Sequence, residues 1–119
     1  MSTLLDANAC LRYLLGDIEA QAAKTAEVIK TGAEVTAEVL AECVYVLGGV
    51  YKVDKGNICK TLQEFLDEVQ CARKQVLKAA FVYFEQHNLD FVDCILLAES
   101  RANNKEVLTF DKKLAKASV

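Results

Sequence analysis

The sequence predicts an α/β fold with a short parallel sheet, and three features of the chain support this prediction. Short apolar or β-branched runs alternate with longer segments in which apolar residues recur every three or four positions. Strands that alternate with helices in this way form parallel sheets, because each helix brings the chain back to the same edge. The 119 residues suit one domain without internal repeats or linkers, and 53% of them are hydrophobic, which allows a substantial core.

The predicted elements follow one another with short turns between them. Strands are expected at residues 2–5, 34–36, 69–72 and 107–110. Helices are expected at residues 7–15, 18–30, 38–50, 54–67, 74–86, 91–102 and 112–116. The helical pattern is clearest in the third of these, whose broad apolar face consists of Val39, Leu40, Cys43, Val44, Leu47 and Val50. Gly16 and Gly32 mark the ends of the first two helices.

The composition predicts a soluble cytoplasmic protein with reduced thiols. The N-terminus, MSTLLDAN, lacks the basic region of a signal peptide, and no apolar run approaches the ~18 residues of a membrane span. The five cysteines have irregular gaps and no CxxC pair, which indicates neither a disulfide scaffold nor a zinc site. We expect Cys43 and Cys94 in the core, and the single histidine, His87, at the surface or at a helix C-terminus.

Two aspartates follow predicted strands directly. Asp6 comes after the first strand, and Asp111 comes after the strand at residues 107–110. Ligand sites in parallel α/β sheets form outside the carboxyl ends of the strands, so these two side chains can converge if their strands are neighbours. The alternative is that each aspartate only caps the helix that it precedes.

Two further acids lie on predicted helices. Glu42 shares a stripe with Glu38 beside the apolar face of its helix, and a solvated face is the alternative for both. Asp93 interrupts the apolar run FVDCILLA, in a helix that we expect to be buried nearly all round. If Asp90 is the N-cap, Asp93 can form a capping box with it. Otherwise its charge is expensive to bury without a cation.

The four carboxylates together predict a metal site. They would repel one another without a counter-charge. Carboxylate oxygens without histidine or thiolate partners suit a hard divalent ion, Mg²⁺ or Mn²⁺. Such ions hold phosphates and activate water for phosphodiester cleavage, sometimes in pairs.

The chain resembles the PIN-domain family, and more closely the VapC-type ribonuclease toxins of toxin–antitoxin pairs. The resemblance runs from Leu4 to Leu114 and rests on an ordered set of four segments, LLDANACLRYLLGD, VLAECVYVL, LDFVDCILLA and LTFDKKLA. It assigns the family's acids to Asp6, Glu42, Asp93 and Asp111. It also assigns a role in supporting the first aspartate to Asn8, and a place beside the metal to Thr109. Family members often carry Thr or Ser where this chain has Ala7.

The resemblance implies a fold, an activity and partners. The fold is a three-layer α/β/α sandwich in which helices cover both faces of the short parallel sheet. The activity is Mg²⁺- or Mn²⁺-dependent cleavage of RNA, with Asp6 and Asp93 as the principal metal ligands. The partners are a second copy of the chain and a small antitoxin protein.

The net charge of −3 is compatible with RNA binding, because the four site acids account for more than all of it. The basic residues available for phosphates are Arg12, Lys52, Lys55, Arg73, Lys112 and Lys113. Arg12 is the first candidate, since it lies on the helix directly after Asp6.

Two other functions are compatible with parts of the pattern. A phosphoacceptor receiver domain also has ~120 residues and an acidic pocket at its strand ends, and Asp54 would have to be its acceptor. A catalytically silent interaction module could keep the PIN fold without its activity. The presence of all four acids argues against the silent module, whereas Ala7 leaves it open.

Overall fold

The structure, a computed structural model, describes residues 2–119, which divide into two compact units. The first unit extends to Ala72 and the second is Arg73–Val119. The first contains β1 (Thr3–Leu4), α1 (Ala7–Leu15), α2 (Glu19–Thr31), β2 (Ala33–Glu34), α3 (Ala37–Gly49) and α4 (Lys55–Leu66). The second contains α5 (Lys74–Gln86), α6 (Phe91–Asn103) and α7 (Lys112–Ala117). Each predicted helix is confirmed, with bounds that differ by no more than one residue.

The sheet is short and parallel, as predicted. β1 pairs with β2 so that Thr3 lies opposite Ala33 and Leu4 opposite Glu34. The predicted strand at residues 69–72 is reduced to a single parallel bridge between Glu34 and Gln70. Two backbone hydrogen bonds hold Gln70 there: its N–H donates to Ala33 at 2.8 Å, and its carbonyl accepts from Val35 at 3.0 Å.

The strand predicted at residues 107–110 is wrong. Residues 105–109 have no regular secondary structure, and Leu108 and Phe110 are 87% and 95% exposed. A strand needs a ladder partner, and the elements of Arg73–Val119 are all helices. The local β-branched and aromatic pattern therefore has no strand to pair with inside its own unit.

The core of the first unit lies between α1, α3, α4 and the two strands. Its largest fully buried side chains are Val35, Leu40, Leu62, Phe65 and Leu66, together with Cys10, Cys43 and Cys59. The predicted core position of Cys43 is therefore confirmed. α1 ends as predicted at Gly16, whose positive φ of 64° lets its N–H bond to the Arg12 carbonyl. This left-handed conformation costs glycine little because it has no Cβ.

The second unit is organised around aromatic rings and one face of α6. The Phe81 and Phe91 rings stack with centroids 4.4 Å apart, and Phe84 meets Phe91 edge-on at 5.7 Å. Cys94 is fully buried, as predicted. The expectation that α6 is buried nearly all round is wrong, because Val92 and Leu96 are 57% and 47% exposed.

Among residues 2–119, no helix has both the length and the apolar character needed to cross a membrane.

Candidate active site

Asp6 lies at the junction between β1 and α1 and acts as the N-cap of α1. Its backbone is extended, and its Oδ1 accepts a hydrogen bond from the Ala9 N–H at 2.8 Å. The predicted capping role is therefore confirmed. It occupies one carboxylate oxygen, and Oδ2 receives no hydrogen bond from residues 2–72. Because the side chain is exposed, that oxygen remains accessible to a ligand.

A groove beside Asp6 separates the first turns of α1 and α2. It has a volume of about 310 Å³, and its lining includes Asp6, Asn8, Arg12 and Lys24. Asn8 is exposed next to Asp6, which is compatible with its predicted supporting role.

Arg12 is largely occupied by protein groups. Its guanidinium donates to the Asp17 carboxylate and to the Tyr51 hydroxyl, each at 2.9 Å, and only 12% of its side chain is exposed. It is therefore less available to a phosphate than its position in the sequence suggests.

Glu42 is exposed on α3, next to the buried face of that helix. Its neighbour Cys43 directs its Sγ toward the Ala7 carbonyl at 3.9 Å, and Ala7 follows Asp6. The contact between these two residues places Asp6 and Glu42 on adjacent elements of the first unit. Glu38, one turn earlier, is also exposed.

The thiol of Cys10 lies under this end of α1. The hydrogen bond with Cys43, then burial, and then the nearby charge of Asp6 raise the pKa of the Cys10 thiol. A raised pKa disfavours the thiolate, which is the nucleophilic form of cysteine.

Asp93 occupies the first turn of α6 without the capping box that was the alternative. Asp90 is the N-cap residue, but its side chain makes no capping hydrogen bond. Asp93 is half-buried, and no hydrogen bond or ion pair reaches its carboxylate within Arg73–Val119. Burial, followed by the negative charges of Asp90 and Asp111, raises the pKa of Asp93. The ionised form of Asp93 is therefore less favourable in the folded protein than in water.

Asp111 is brought near Asp93 by the start of α7. Its Oδ1 accepts from the Leu114 N–H at 2.9 Å, so the predicted capping role is confirmed here as well. Its own N–H donates to the Thr109 Oγ1 at 3.0 Å. Thr109 therefore fixes the backbone that carries Asp111, which gives a physical basis to its predicted place beside the site.

Asp90, expected from sequence only as a helix cap, also has an electrostatic effect on its neighbour. The charge of Asp90 acts on Asp93 more strongly than that of Asp111 does. The signal was visible in the sequence, because residues three apart at a helix start lie on the same side.

The donor set fits a hard cation in its chemistry. The proposed ligands of the second unit, Asp93 and Asp111, supply only carboxylate oxygens, and the charges that shift the pKa of Asp93 are all negative. Among residues 2–119, no group of three or more His, Cys, Asp or Glu side chains is arranged to hold a metal ion. The charges of Asp90 and Asp111 thus raise the pKa of Asp93, but these carboxylates do not form a closed set of ligands.

Asp54 and His87 have local structural roles. Asp54 is the N-cap of α4 and accepts from the Asn57 N–H at 2.9 Å, so it does not end a strand as a receiver domain requires. His87 is the C-cap of α5, as predicted, and its N–H donates to the Tyr83 carbonyl at 2.9 Å.

Comparison with known proteins identifies the family. No significant match was found among curated proteins or among solved structures. The profile of the PIN domain matches residues 3–119. PIN domains have an α/β fold and are nuclease-type domains, in general metal-dependent ribonucleases, which excludes the receiver alternative. Because this match spans almost the whole sequence, the chain belongs to the PIN-domain family.

Proposed function

We propose that this protein is a Mg²⁺- or Mn²⁺-dependent endoribonuclease and the toxin of a VapBC-type toxin–antitoxin pair. The observation that carries the proposal is the PIN-domain match over residues 3–119. The assignment of the family's acids to Asp6, Glu42, Asp93 and Asp111 is part of the proposal. The proposed fold is the three-layer α/β/α sandwich of that family. The raised pKa of Asp93 adds support, because carboxylates with shifted pKa values cluster at functional sites.

The four carboxylates serve one metal centre in this proposal. Asp6 and Asp93 are the principal ligands, and Glu42 and Asp111 act directly or through water. Asp6 has one carboxylate oxygen open, and Asp93 has both oxygens without hydrogen bonds in its unit. When bound, the metal supplies a water of lowered pKa and positive charge at the scissile phosphate.

The protein's own residues orient these ligands. The Ala9 N–H fixes one oxygen of Asp6, and the Leu114 N–H does the same for Asp111. Asn8, in the first turn of α1, supports Asp6, and Thr109 holds the backbone of Asp111. In-line attack by water releases a 5′-phosphate and a 3′-hydroxyl, and the RNA 2′-hydroxyl takes no part.

The proposed partners are RNA, a second copy of the chain and a small antitoxin, in the cytoplasm. Val92 and Leu96 lie one turn apart on the exposed side of α6. Exposed apolar side chains of this kind are suited to coverage by a protein partner.

A catalytically silent PIN-fold interaction module is the second candidate. Ala7 favours it, because this position is 4% exposed and has no hydroxyl to offer the site. The two candidates differ in one measurable property, which is metal-dependent hydrolysis of RNA.

The experiment is a cleavage assay on structured RNAs with Mg²⁺, with Mn²⁺ and with EDTA. We expect Asp93→Asn and Asp6→Asn to reduce the rate by about 100-fold or more, since each removes a ligand charge worth several kcal/mol in the transition state. Asp90→Asn is the matched control, because it removes a neighbouring charge that is not a proposed ligand. Cleavage in EDTA, or full activity of both ligand variants, would refute the proposal, and absence of cleavage under all metal conditions would favour the silent module.

A further inference from the structure

A cleft in the second unit is lined by cationic and amide side chains. It has a volume of about 520 Å³, and neither Asp93 nor Asp111 lines it. One wall is the turn at residues 86–89 between α5 and α6, and the other consists of Lys113, Lys116 and Ala117 on α7.

The two lysines are presented by an anchored helix. Lys113 and Lys116 are three residues apart, so they project from the same side of α7. Leu114, 2% exposed, fixes this helix against its unit. At its other end, the Arg101 Nη2 donates to the Ala117 carbonyl at 2.9 Å. The backbone positions from which the two lysines project are therefore set by the fold.

The charge of the cleft is opposite in sign to that of the chain. The protein has more acidic than basic residues, 17 against 14, yet no carboxylate lines this cleft. Glu85 and Asp90, which flank the turn in sequence, lie outside the lining. Lys113 and Lys116 form no ion pair within Arg73–Val119. Two like charges one turn apart destabilise each other, so an anion between them is favourable.

The size and the remaining lining limit the choice of anion. Sites for small organic ligands measure about 300–1,000 Å³, and this cleft lies within that range. Leu89 and Ala117 add an apolar surface next to the lysines, while Gln86 and Asn88 can donate hydrogen bonds. Cationic side chains beside an apolar surface suit a nucleotide, which carries a phosphate beside a sugar and a base. A helical acidic peptide requires a longer groove.

We propose that this cleft binds one nucleotide unit of an RNA strand, with its phosphate between Lys113 and Lys116. The identity of the polyanion as RNA rests on the proposed nuclease function. The cleft is a binding site for the substrate strand away from the bond that is cut, and it contributes affinity without contributing a metal ligand.

The experiment measures binding of a labelled single-stranded RNA by fluorescence anisotropy in EDTA, where the proposed cleavage does not occur. The variant Lys113→Gln/Lys116→Gln is compared with Lys30→Gln/Lys60→Gln, which removes the same charge from exposed positions on α2 and α4. We expect the cleft variant to bind about 10-fold more weakly at ~0.1 M salt. The slope of log affinity against log salt concentration should become shallower by ~0.7, for the loss of one neutralised phosphate. In the control variant, the salt dependence of binding should change by less than half of this amount.

Competition experiments identify which kind of anion the cleft binds. Adenosine monophosphate and inorganic phosphate are titrated as competitors, together with a glutamate-rich peptide. Competition by the nucleotide at lower concentration than by phosphate supports the proposal. Equal effects of the two double variants overturn it, as does peptide binding that depends on the two lysines while RNA binding does not. Cleavage by the wild type with metal is measured in parallel, so failure of this inference is distinguishable from failure of the proposed function.

Discussion

The carboxylates at the starts of α1 and α6 differ in how the protein treats them. Asp6 of α1 receives the Ala9 N–H and is exposed, so its charge is stabilised by the helix that it begins. Asp93 of α6 is half-buried, receives no hydrogen bond within its unit and experiences the charges of Asp90 and Asp111. The carboxylate of Asp6 thus stabilises the folded protein as a helix cap, whereas the charge of Asp93 destabilises it.

This difference teaches how to separate a structural acid from a functional one. A cap can serve both purposes, because it uses only one oxygen and the field of the helix N-terminus favours its charge. An acid without a partner contributes nothing favourable to the metal-free protein, so its cost indicates a role that requires another charge.

The largest expected effect is stabilisation of the protein by its metal through Asp93. With Mg²⁺ or Mn²⁺ at ~100 times its Kd, the wild type should gain about 2.7 kcal/mol, or roughly 10 °C in Tm. Asp93→Asn should lose most of this gain, because it removes a ligand charge that has no competing partner. Differential scanning fluorimetry with and without EDTA measures both. Asp90→Asn is the control and should keep the gain. Equal metal shifts in the wild type and Asp93→Asn would contradict the assignment of Asp93.

In the absence of metal, replacing either capping aspartate with alanine should lower the stability of the protein. Asp6→Ala and Asp111→Ala should each cost about 1 kcal/mol, since each leaves a helix N–H without its acceptor. Asp6→Asn should be nearly neutral, because asparagine caps as well as aspartate. Urea unfolding in EDTA measures the difference. If Asp6→Asn were as destabilising as Asp6→Ala, the charge and not the cap would be the source of the stability.

Removing the charge of Asp93 should stabilise the metal-free protein near neutral pH. The folded-state pKa of Asp93 is raised above its ordinary value of 3.8, so the native state takes up this proton before the unfolded state does. The destabilisation caused by the charge of Asp93 is therefore complete above the pKa of the folded state. It decreases as the pH falls through that pKa and is absent below the pKa of the unfolded state.

Urea unfolding of the wild type and Asp93→Asn in EDTA, at pH 7 and at a pH below 3.8, tests this dependence. Asp93→Asn should be the more stable protein at pH 7, and the difference should vanish at the acidic pH. A difference that grows as the pH falls would mean that Asp93 is a stabilised carboxylate.

The local and the non-local parts of the fold were not equally predictable. The helices were correct because their signals are local, namely apolar spacing, a capping aspartate and a terminal glycine. The runs at residues 2–5 and 107–110 look alike, since each is apolar and each ends in a capping aspartate. Only the first is a strand, because β2 pairs with it in its own unit. Pairing depends on distant parts of the chain, and no local pattern reports it.

The same distinction applies to the candidate site. The capping roles of Asp6 and Asp111 could be predicted from sequence, because a cap needs only the next turn of helix. The charge of Asp111 on Asp93 depends on how α6 and α7 pack, which the sequence pattern did not contain. That all four acids share one ion stays a prediction.

The smallest expected effect separates the charges that act on Asp93. Asp90→Asn should lower the pKa of Asp93, and Asp111→Asn should lower it less, because Asp90 exerts the stronger repulsion. Neither variant should restore the ordinary value, since burial is the largest cause of the shift. Carbon-13 NMR of the Asp93 carboxyl across a pH titration in EDTA measures each change. Glu106 is an exposed acid of the same unit that does not contribute to this shift, so Glu106→Gln should leave the pKa of Asp93 unchanged. A larger response to Asp111→Asn than to Asp90→Asn would mean that the start of α7 dominates the site, and that Asp93 and Asp111 form the coupled pair.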